Sequence, residues 1–119
     1  MKILVVDDNQ SLATVICCML ELKGHEVSSA FNGLEGYLEY FQFQPDLVIT
    51  DIQMPGENGF QLINHIREQV PSVKTIYMSG NLDQFNSLLE EEKRRFPINV
   101  LRKPFLMDDL INQVSEFKK

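Results

Sequence analysis

The chain has 119 residues, of which 44% are hydrophobic and 24% are charged, the proportions of one globular domain that is large enough to bury a core. Its net charge of −6 argues against nucleic-acid binding, because a phosphate backbone is bound by clustered Lys and Arg side chains. No apolar run approaches the roughly 18 residues of a membrane helix, and no signal peptide is recognised, so we expect a cytoplasmic domain without membrane contact. The only two cysteines are adjacent, which predicts no disulfide framework.

The apolar pattern predicts strands and helices in alternation along the chain. Short apolar runs at residues 3–6, 47–50 and 99–102 predict three buried parallel strands, because helices cover both faces of such a sheet. Residues 26–30 and 73–78 predict two more strands, and apolar residues at helical spacing predict a helix after each strand. Five strands that alternate with five helices predict an α/β fold, a doubly wound parallel sheet in the flavodoxin-like order 2-1-3-4-5.

The second and fourth helices have predicted orientations. Four apolar residues of the second helix are expected to face the core: Leu34, Tyr37, Leu38 and Phe41. Asn81 is expected to cap the N-terminus of the fourth helix. The charge run at residues 90–95 mixes both signs, which is typical of a solvated helix face. We therefore expect little burial to hold the fourth helix in place.

Charged residues follow three of the predicted strands at their carboxyl ends. Asp7 and Asp8 follow the first strand, Asp51 the third and Lys103 the fifth. Open α/β sheets bind ligands outside these strand ends, so the charged side chains should converge there, with Ser79 of the fourth strand alongside. Carboxylates that close resist ionising together, and Mg²⁺ bound by carboxylates and a phosphate relieves the repulsion. With the lysine as a point charge for that phosphate, the sequence predicts a site for phosphoryl chemistry.

At these positions the chain resembles the receiver domain of two-component response regulators. The resemblance is carried by four segments, found in order at the predicted strand ends: Val5-Val6-Asp7-Asp8-Asn9, Asp51-Ile52-Gln53-Met54-Pro55-Gly56-Glu57-Asn58-Gly59, Ser79-Gly80 and Lys103-Pro104-Phe105. It covers the whole chain and implies a single receiver domain over residues 1–119 with no output domain in the chain.

The resemblance implies a phosphoacceptor and a metal site. Asp51 would accept a phosphoryl group from the phosphohistidine of a sensor histidine kinase or a histidine phosphotransfer protein. Asp8, Asp51 and the backbone carbonyl of Gln53 would bind Mg²⁺ directly, and Asp7 would act mainly through bound water. Such a domain promotes its own phosphorylation and dephosphorylation and is not a turnover enzyme on a separate substrate.

The same resemblance implies a conformational switch. Ser79 and Lys103 would each contact a phosphoryl oxygen, and the peptide bond between Lys103 and Pro104 would be cis. The loop after the fourth strand and the fourth helix would then change conformation for a downstream output domain or protein. Family members often carry an aromatic residue that swings inward on activation where this chain has Val100, so no readout through such a ring is expected.

Other interpretations of these residues remain open. Asp7 and Asp8 could favour a helix N-terminus, and Asp51 and Ser79 could be turn residues. A dehalogenase-like phosphatase also uses an aspartyl phosphate, but it requires Asp-x-Asp after the first strand, which Asp7-Asp8-Asn9 does not supply. The main alternative is a phosphorylation-independent protein-interaction module on the same fold.

Overall fold

Five parallel strands form one sheet between helices in the computed structural model, which describes residues 1–118. Lys119, the last residue of the predicted domain, lies outside the described residues. The strands are β1 (Lys2–Val6), β2 (Glu26–Ala30), β3 (Leu47–Asp51), β4 (Thr75–Ser79) and β5 (Ile98–Arg102). The helices are α1 (Gln10–Leu22), α2 (Gly33–Phe43), α3 (Gly59–Arg67), α4 (Asn86–Arg95) and α5 (Met107–Glu116). The strand order β2-β1-β3-β4-β5 confirms the predicted doubly wound topology.

Two apolar layers hold the helices against the sheet, because successive residues of a strand point to opposite faces. Leu4 and Val6 of β1 belong to the layer that contains residues of α2, α3 and α4. Ile3 and Val5 belong to the layer that contains residues of α1 and α5. All four side chains are fully buried, which explains why β1 is a continuous apolar run. Among residues 1–118, none of the helices has the length and apolarity needed to cross a membrane.

The strand register brings the carboxyl ends of the strands to one edge of the sheet. Val6 of β1 lies opposite Thr50 of β3, although β2 comes between these strands in sequence. Asp51 lies opposite Met78, and Ser79 lies opposite Arg102. The residues that end β1, β3, β4 and β5 therefore follow one another along this edge.

The predicted orientation of α2 is wrong for two of its residues. Leu34 and Leu38, expected in the core, are 68% and 59% exposed. The reason is a close approach of α2 to the sheet through Gly36, where a Cβ atom would lie 3.1 Å from Val6 and 3.2 Å from Leu62. The helix therefore turns its glycine side inward and its leucines outward. Two other members of the predicted face are partly buried beside the core: Tyr37 and Phe41.

The start of the fourth helix also differs from the prediction. The chain first forms a 3₁₀ helix at Leu82–Phe85, and α4 begins only at Asn86. The Oδ1 atom of Asn81 makes no capping hydrogen bond, and its Nδ2 donates to Gln84 Oε1 at 2.6 Å. The predicted N-cap is therefore wrong, and the first turn after β4 has no side-chain cap of its own.

The charge run at the end of α4 is not a uniformly solvated face. Glu92 is only 5% exposed, because its carboxylate pairs with the guanidinium of Arg67 on α3 at 2.8 Å. Glu90 and Glu91 of the same run are exposed, as predicted. The expectation that little burial holds α4 is therefore wrong for its C-terminal half.

Candidate functional site

Three carboxylates and one ammonium group meet at the carboxyl edge of the sheet. One carboxylate oxygen from each of Asp7, Asp8 and Asp51 lies within 4.8 Å of the other two. The Nζ atom of Lys103 lies 2.8 Å from Asp7 Oδ2 and 3.3 Å from Asp51 Oδ2. The structure thus brings together the four charged residues that end β1, β3 and β5 in the sequence.

Asp7 is the most enclosed of the three carboxylates. Its side chain is fully buried, its Oδ1 accepts the backbone N–H of Asn9 at 2.9 Å, and its Oδ2 accepts the ammonium of Lys103. Asn9 also caps α1 by accepting the N–H of Leu12 at 3.1 Å, so the turn that carries the acidic pair has a fixed shape. Asp8 is exposed beside it, at the mouth of the site.

Asp51 ends β3, and the first residue of α3, Gly59, packs against its backbone. A Cβ atom on Gly59 would overlap the carbonyl oxygen of Asp51, so only glycine allows α3 to begin this close to the strand. Burial raises the pKa of the Asp51 carboxyl above its usual value; Lys103 opposes this rise and the charge of Asp7 adds to it. Nearby cationic groups therefore offset part of the cost of burying the Asp51 charge.

Lys103 supplies part of that compensation. Burial alone lowers the pKa of Lys103, but the hydrogen bond from its ammonium to Asp7 and the charges of Asp51 and Asp7 outweigh burial and raise that pKa above its usual value. The side chain is therefore a stable cation at neutral pH. Three carboxylates against one ammonium leave an excess of negative charge, and carboxylate oxygens are the ligands that a hard divalent cation prefers. The oxygens of this cluster could hold such an ion.

The other predicted site residues surround this charged group. Ser79 is almost fully buried, and its Oγ accepts the backbone N–H of Asn81 at 2.9 Å, so its hydroxyl hydrogen is available to donate. The carbonyl of Ser79 accepts the backbone N–H of Lys103 at 2.9 Å, which ties the ends of β4 and β5 together. Gln53 is exposed in the loop after β3, and the peptide bond between Lys103 and Pro104 is cis.

An open cleft of about 500 Å³ lies beside the site. Residues of the loop after β3, among them Gln53 and Met54, form one wall, and Gln84 and Phe85 of the 3₁₀ helix form the other. The segment after β4 therefore borders open space on the side of the site. Leu82 and Phe85 of this segment also pack against the core.

Behind the site lies a buried ion pair that the sequence analysis missed. Arg67 of α3 donates two hydrogen bonds to Glu92 of α4, from Nη1 to Oε2 at 3.0 Å and from Nη2 to Oε1 at 2.8 Å. The Tyr77 hydroxyl of β4 donates to the same Oε1 at 2.8 Å. Tyr77 and Ser79 are two residues apart on one strand and thus point to the same face. β4 therefore carries both a predicted site residue and an anchor for α4.

The sequence does contain a signal for this anchor. Glu92 follows Leu89 of α4 by three residues and Phe85 of the preceding 3₁₀ helix by seven, which is the spacing of a stripe that faces the core. Burial raises the pKa of Tyr77 well above its usual value, and the charge of Glu92 raises it further, so the phenol stays protonated as a donor. A carboxylate on a core-facing stripe indicates a buried partner.

Comparisons with known proteins were consistent in family and fold. The sequence matches the family described as response regulator receiver domain over residues 3–115. It is 35% identical over 113 residues to the DNA-binding transcriptional regulator NtrC of Azospirillum brasilense, a match that covers 95% of this chain and 23% of that protein. It is 26% identical over 118 residues to sporulation initiation phosphotransferase F of Bacillus subtilis, and this match covers 98% of this chain and 92% of that protein.

A solved structure has the same fold. The response regulator protein TrrA from Thermotoga maritima, solved in complex with Mg(2+)-BeF, is 30% identical with a TM-score of 0.84, and the match covers 98% of this chain and 97% of that chain. The chain thus spans nearly all of TrrA but less than a quarter of the length of the NtrC relative.

Proposed function

The chain belongs to the response regulator receiver domain family of two-component signalling, and from this membership we propose that Asp51 accepts a phosphoryl group from a sensor histidine kinase or a histidine phosphotransfer protein. The observation that carries the proposal is the convergence of three carboxylates on Lys103 at one edge of the sheet. We further propose that residues 1–119 form a single receiver domain, that it acts in the cytoplasm, and that its output is another domain or a separate protein.

The proposed step is a transfer between two nucleophiles. A carboxylate oxygen of Asp51 attacks phosphorus, a P–O bond forms, and the P–N bond breaks with its electron pair moving to the imidazole nitrogen of the donor histidine. The protein contributes mainly by positioning groups and neutralising the phosphoryl oxygens. Lys103, 3.3 Å from Asp51 Oδ2, would contact one of these oxygens, and the Ser79 hydroxyl would donate to another. Attack by water on phosphorus would later release phosphate and restore the carboxylate, so the domain modifies itself rather than a separate substrate.

The chemistry of the donor set supports Mg²⁺ as the ion of this site. Asp8, Asp51 and the backbone carbonyl of Gln53 would hold it directly. Asp7, whose two oxygens each accept one hydrogen bond, from Asn9 and from Lys103, would contribute through bound water. When bound, the ion supplies positive charge to the carboxylates and to the transferred phosphoryl group. The Mg(2+)-BeF complex of TrrA, a relative with the same fold, supports the same ion here.

Incubation with acetyl phosphate tests this proposal. With Mg²⁺ present, the intact protein is expected to gain one phosphoryl group, because a carboxylate displaces acetate from this donor without a partner protein. The adduct should be labile to hydroxylamine, as acyl phosphates are, and intact-mass spectrometry measures both results. The control is the same incubation with EDTA in excess over Mg²⁺. An unchanged mass with Mg²⁺ present would favour the phosphorylation-independent interaction module instead.

The segment that responds is proposed to be short. The ion pair between Arg67 and Glu92 holds the C-terminal half of α4 against α3, whereas the 3₁₀ helix Leu82–Phe85 has no side-chain cap and borders the open cleft. None of the residues of this 3₁₀ helix is fully buried, although Leu82 and Phe85 pack against the core, and less buried segments move at a lower free-energy cost. When Ser79 turns toward a phosphoryl oxygen, movement should therefore extend from Ser79 through the 3₁₀ helix and decrease along α4.

Lys103→Ala is expected to separate phosphoryl uptake from this movement. The ammonium senses the new anion, and the backbone N–H of Lys103 is bonded to the carbonyl of Ser79 at 2.9 Å. The variant should still gain mass with acetyl phosphate. With Mg²⁺ and beryllofluoride, a mimic of the acyl phosphate, the parent should show amide chemical-shift changes from Ser79 through Phe85, and the variant should lose most of them.

The matched control for this variant is Lys74→Ala. Lys74 is an exposed lysine that immediately precedes β4, far along the strand from the site, and its removal should leave the shift changes intact. Circular dichroism checks that both variants are folded. Parent-like shift changes in Lys103→Ala would show that another group senses the phosphoryl anion.

A further inference from the structure

One helix of the domain carries an apolar stripe that the domain itself does not cover. Leu34, Tyr37, Leu38 and Phe41 recur along α2 at the spacing of a core-facing helix. Tyr37 and Phe41 are partly buried at the margin of the core. Leu34 and Leu38, one turn apart, are 68% and 59% exposed. The spacing of these large apolar residues is typical of a buried helix face, yet in the structure the two leucines on this face are exposed.

Packing on the other side of α2 prevents the domain from covering these leucines. Gly36 lies against the sheet so closely that a Cβ atom would be 3.1 Å from Val6. Gly33 lies against the loop before α3, where a Cβ atom would be 2.8 Å from the Cβ of Glu57. Two glycines therefore fix which side of α2 faces inward. A rotation that buried Leu34 and Leu38 would lose both close contacts and the burial of Tyr40.

Shallow acidic clefts lie on both sides of the two leucines. A cleft of about 210 Å³ beside Leu34 is bordered by Glu57 and Glu68. A second cleft of about 200 Å³ beside Leu38 is bordered by Glu35 and Glu39. The sequence of α2 contains neither Lys nor Arg. The leucines thus form an apolar ridge between two pairs of carboxylates.

Among the residues the structure describes, one basic side chain borders these clefts, and it already contacts a glutamate. His65 lines the cleft beside Leu34, and its Nδ1 lies 3.1 Å from Glu57 Oε1. It also packs edge-on against Tyr37, with ring centroids 6.4 Å apart. The surface therefore presents apolar area together with uncompensated negative charge, which is a pattern that selects its partner by charge as well as by shape.

We propose that this α2 ridge, defined as Leu34 and Leu38 with the four flanking carboxylates, docks an amphipathic segment of a partner protein. Apolar side chains of that segment cover the two leucines, and its Lys or Arg side chains pair with Glu35, Glu39 or Glu68. The ridge contains no residue of the phosphoryl site and needs neither phosphorylation nor a cation. Its function is therefore independent of the phosphoacceptor function proposed for Asp51.

Charge argues against other occupants of the ridge. A second copy of this chain would bring the same four carboxylates and the same net charge of −6, so two ridges would repel each other. A nucleic acid would add further negative charge. A basic amphipathic segment is complementary to both the apolar ridge and its acidic borders.

Selection from a random peptide display library on the immobilised full chain tests the proposal. The peptides that are enriched should combine apolar residues at helical spacing with flanking Lys or Arg. Synthetic versions of the enriched sequences should bind about tenfold more weakly to the double variant Leu34→Gln/Leu38→Gln, since two central apolar contacts are lost. Binding should also weaken as salt is raised, because exposed charge pairs are screened.

Leu22→Gln provides the matched control. Leu22 ends α1 and is 79% exposed, so its replacement removes an equally exposed leucine outside the ridge and should leave peptide binding unchanged. Circular dichroism checks the fold of each variant. The proposal is overturned if no peptide is enriched, if the enriched peptides lack basic residues, or if they bind the double variant as tightly as the parent. It is also overturned if sedimentation shows a dimer of the parent that the double variant loses.

Discussion

Asp51→Asn is expected to reduce phosphoryl uptake from acetyl phosphate by more than about a hundredfold, because an amide of the same shape cannot act as the nucleophile. The side chain is mostly buried between the ends of β1 and β3, so the isosteric change preserves the packing of the site. Intact-mass spectrometry over a time course with Mg²⁺ measures the loss directly.

Two measurements make this result specific to Asp51. Asp108→Asn changes an exposed carboxylate in the first turn of α5 and should leave uptake at the parent level. Thermal unfolding should show that Asp51→Asn is at least as stable as the parent without Mg²⁺, because the change removes one of three clustered negative charges. Uptake that continues in Asp51→Asn at the parent rate would mean that another residue is the phosphoacceptor.

The positions of the site residues could be predicted because two strong local signals coincide. Runs such as residues 3–6 and 47–50 are apolar throughout, since helices cover both faces of the sheet. A charged residue that ends such a run lies at the carboxyl edge of the sheet, where the apolar core ends. Topology then places a carboxylate oxygen of Asp7 and one of Asp51 within 3.3 Å of the Lys103 ammonium. No long-range information beyond the strand order was needed.

The orientation of α2 could not be predicted from its periodicity. Its leucines and aromatic residues have the spacing of a core face, but Gly36 allows a closer approach to Val6 than any larger side chain would. Hydrophobic periodicity scores large apolar side chains and gives glycine little weight. It therefore identifies a helix here but assigns Leu34 and Leu38 to the wrong side.

The anchor of α4 was missed for a different reason. Glu92 appears in sequence as one member of a mixed charge run, and its partners Arg67 and Tyr77 are 25 and 15 residues away. The spacing of Glu92 from Leu89 is a local signal of burial, but the mixed charge run around Glu92 is typical of a solvated face. Only the packing of α3, α4 and β4 decides between the two, and that packing is a property of the folded chain.

Glu92→Ala is expected to lower the free energy of unfolding by about 3–5 kcal/mol, because it leaves a guanidinium buried without its counter-charge. Arg67 and Glu92 side chains are each only 7% exposed, and Arg67 Nε already has no hydrogen-bond partner among the described residues. The Tyr77 hydroxyl would lose its acceptor as well. Urea denaturation followed by circular dichroism measures the change in free energy.

Glu90→Ala is the matched control, in the same helix and the same charge run. The Glu90 side chain is 71% exposed and lies 3.9 Å from Lys93, so its removal should change stability by less than about 0.5 kcal/mol. Replacing both buried partners, as Arg67→Met with Glu92→Leu, should recover most of the lost stability, because no charge is then left unpaired. If Glu92→Ala is no more destabilising than Glu90→Ala, the ion pair does not hold α4. Movement driven from Ser79 would then extend along the whole helix instead of decreasing toward its C-terminal half.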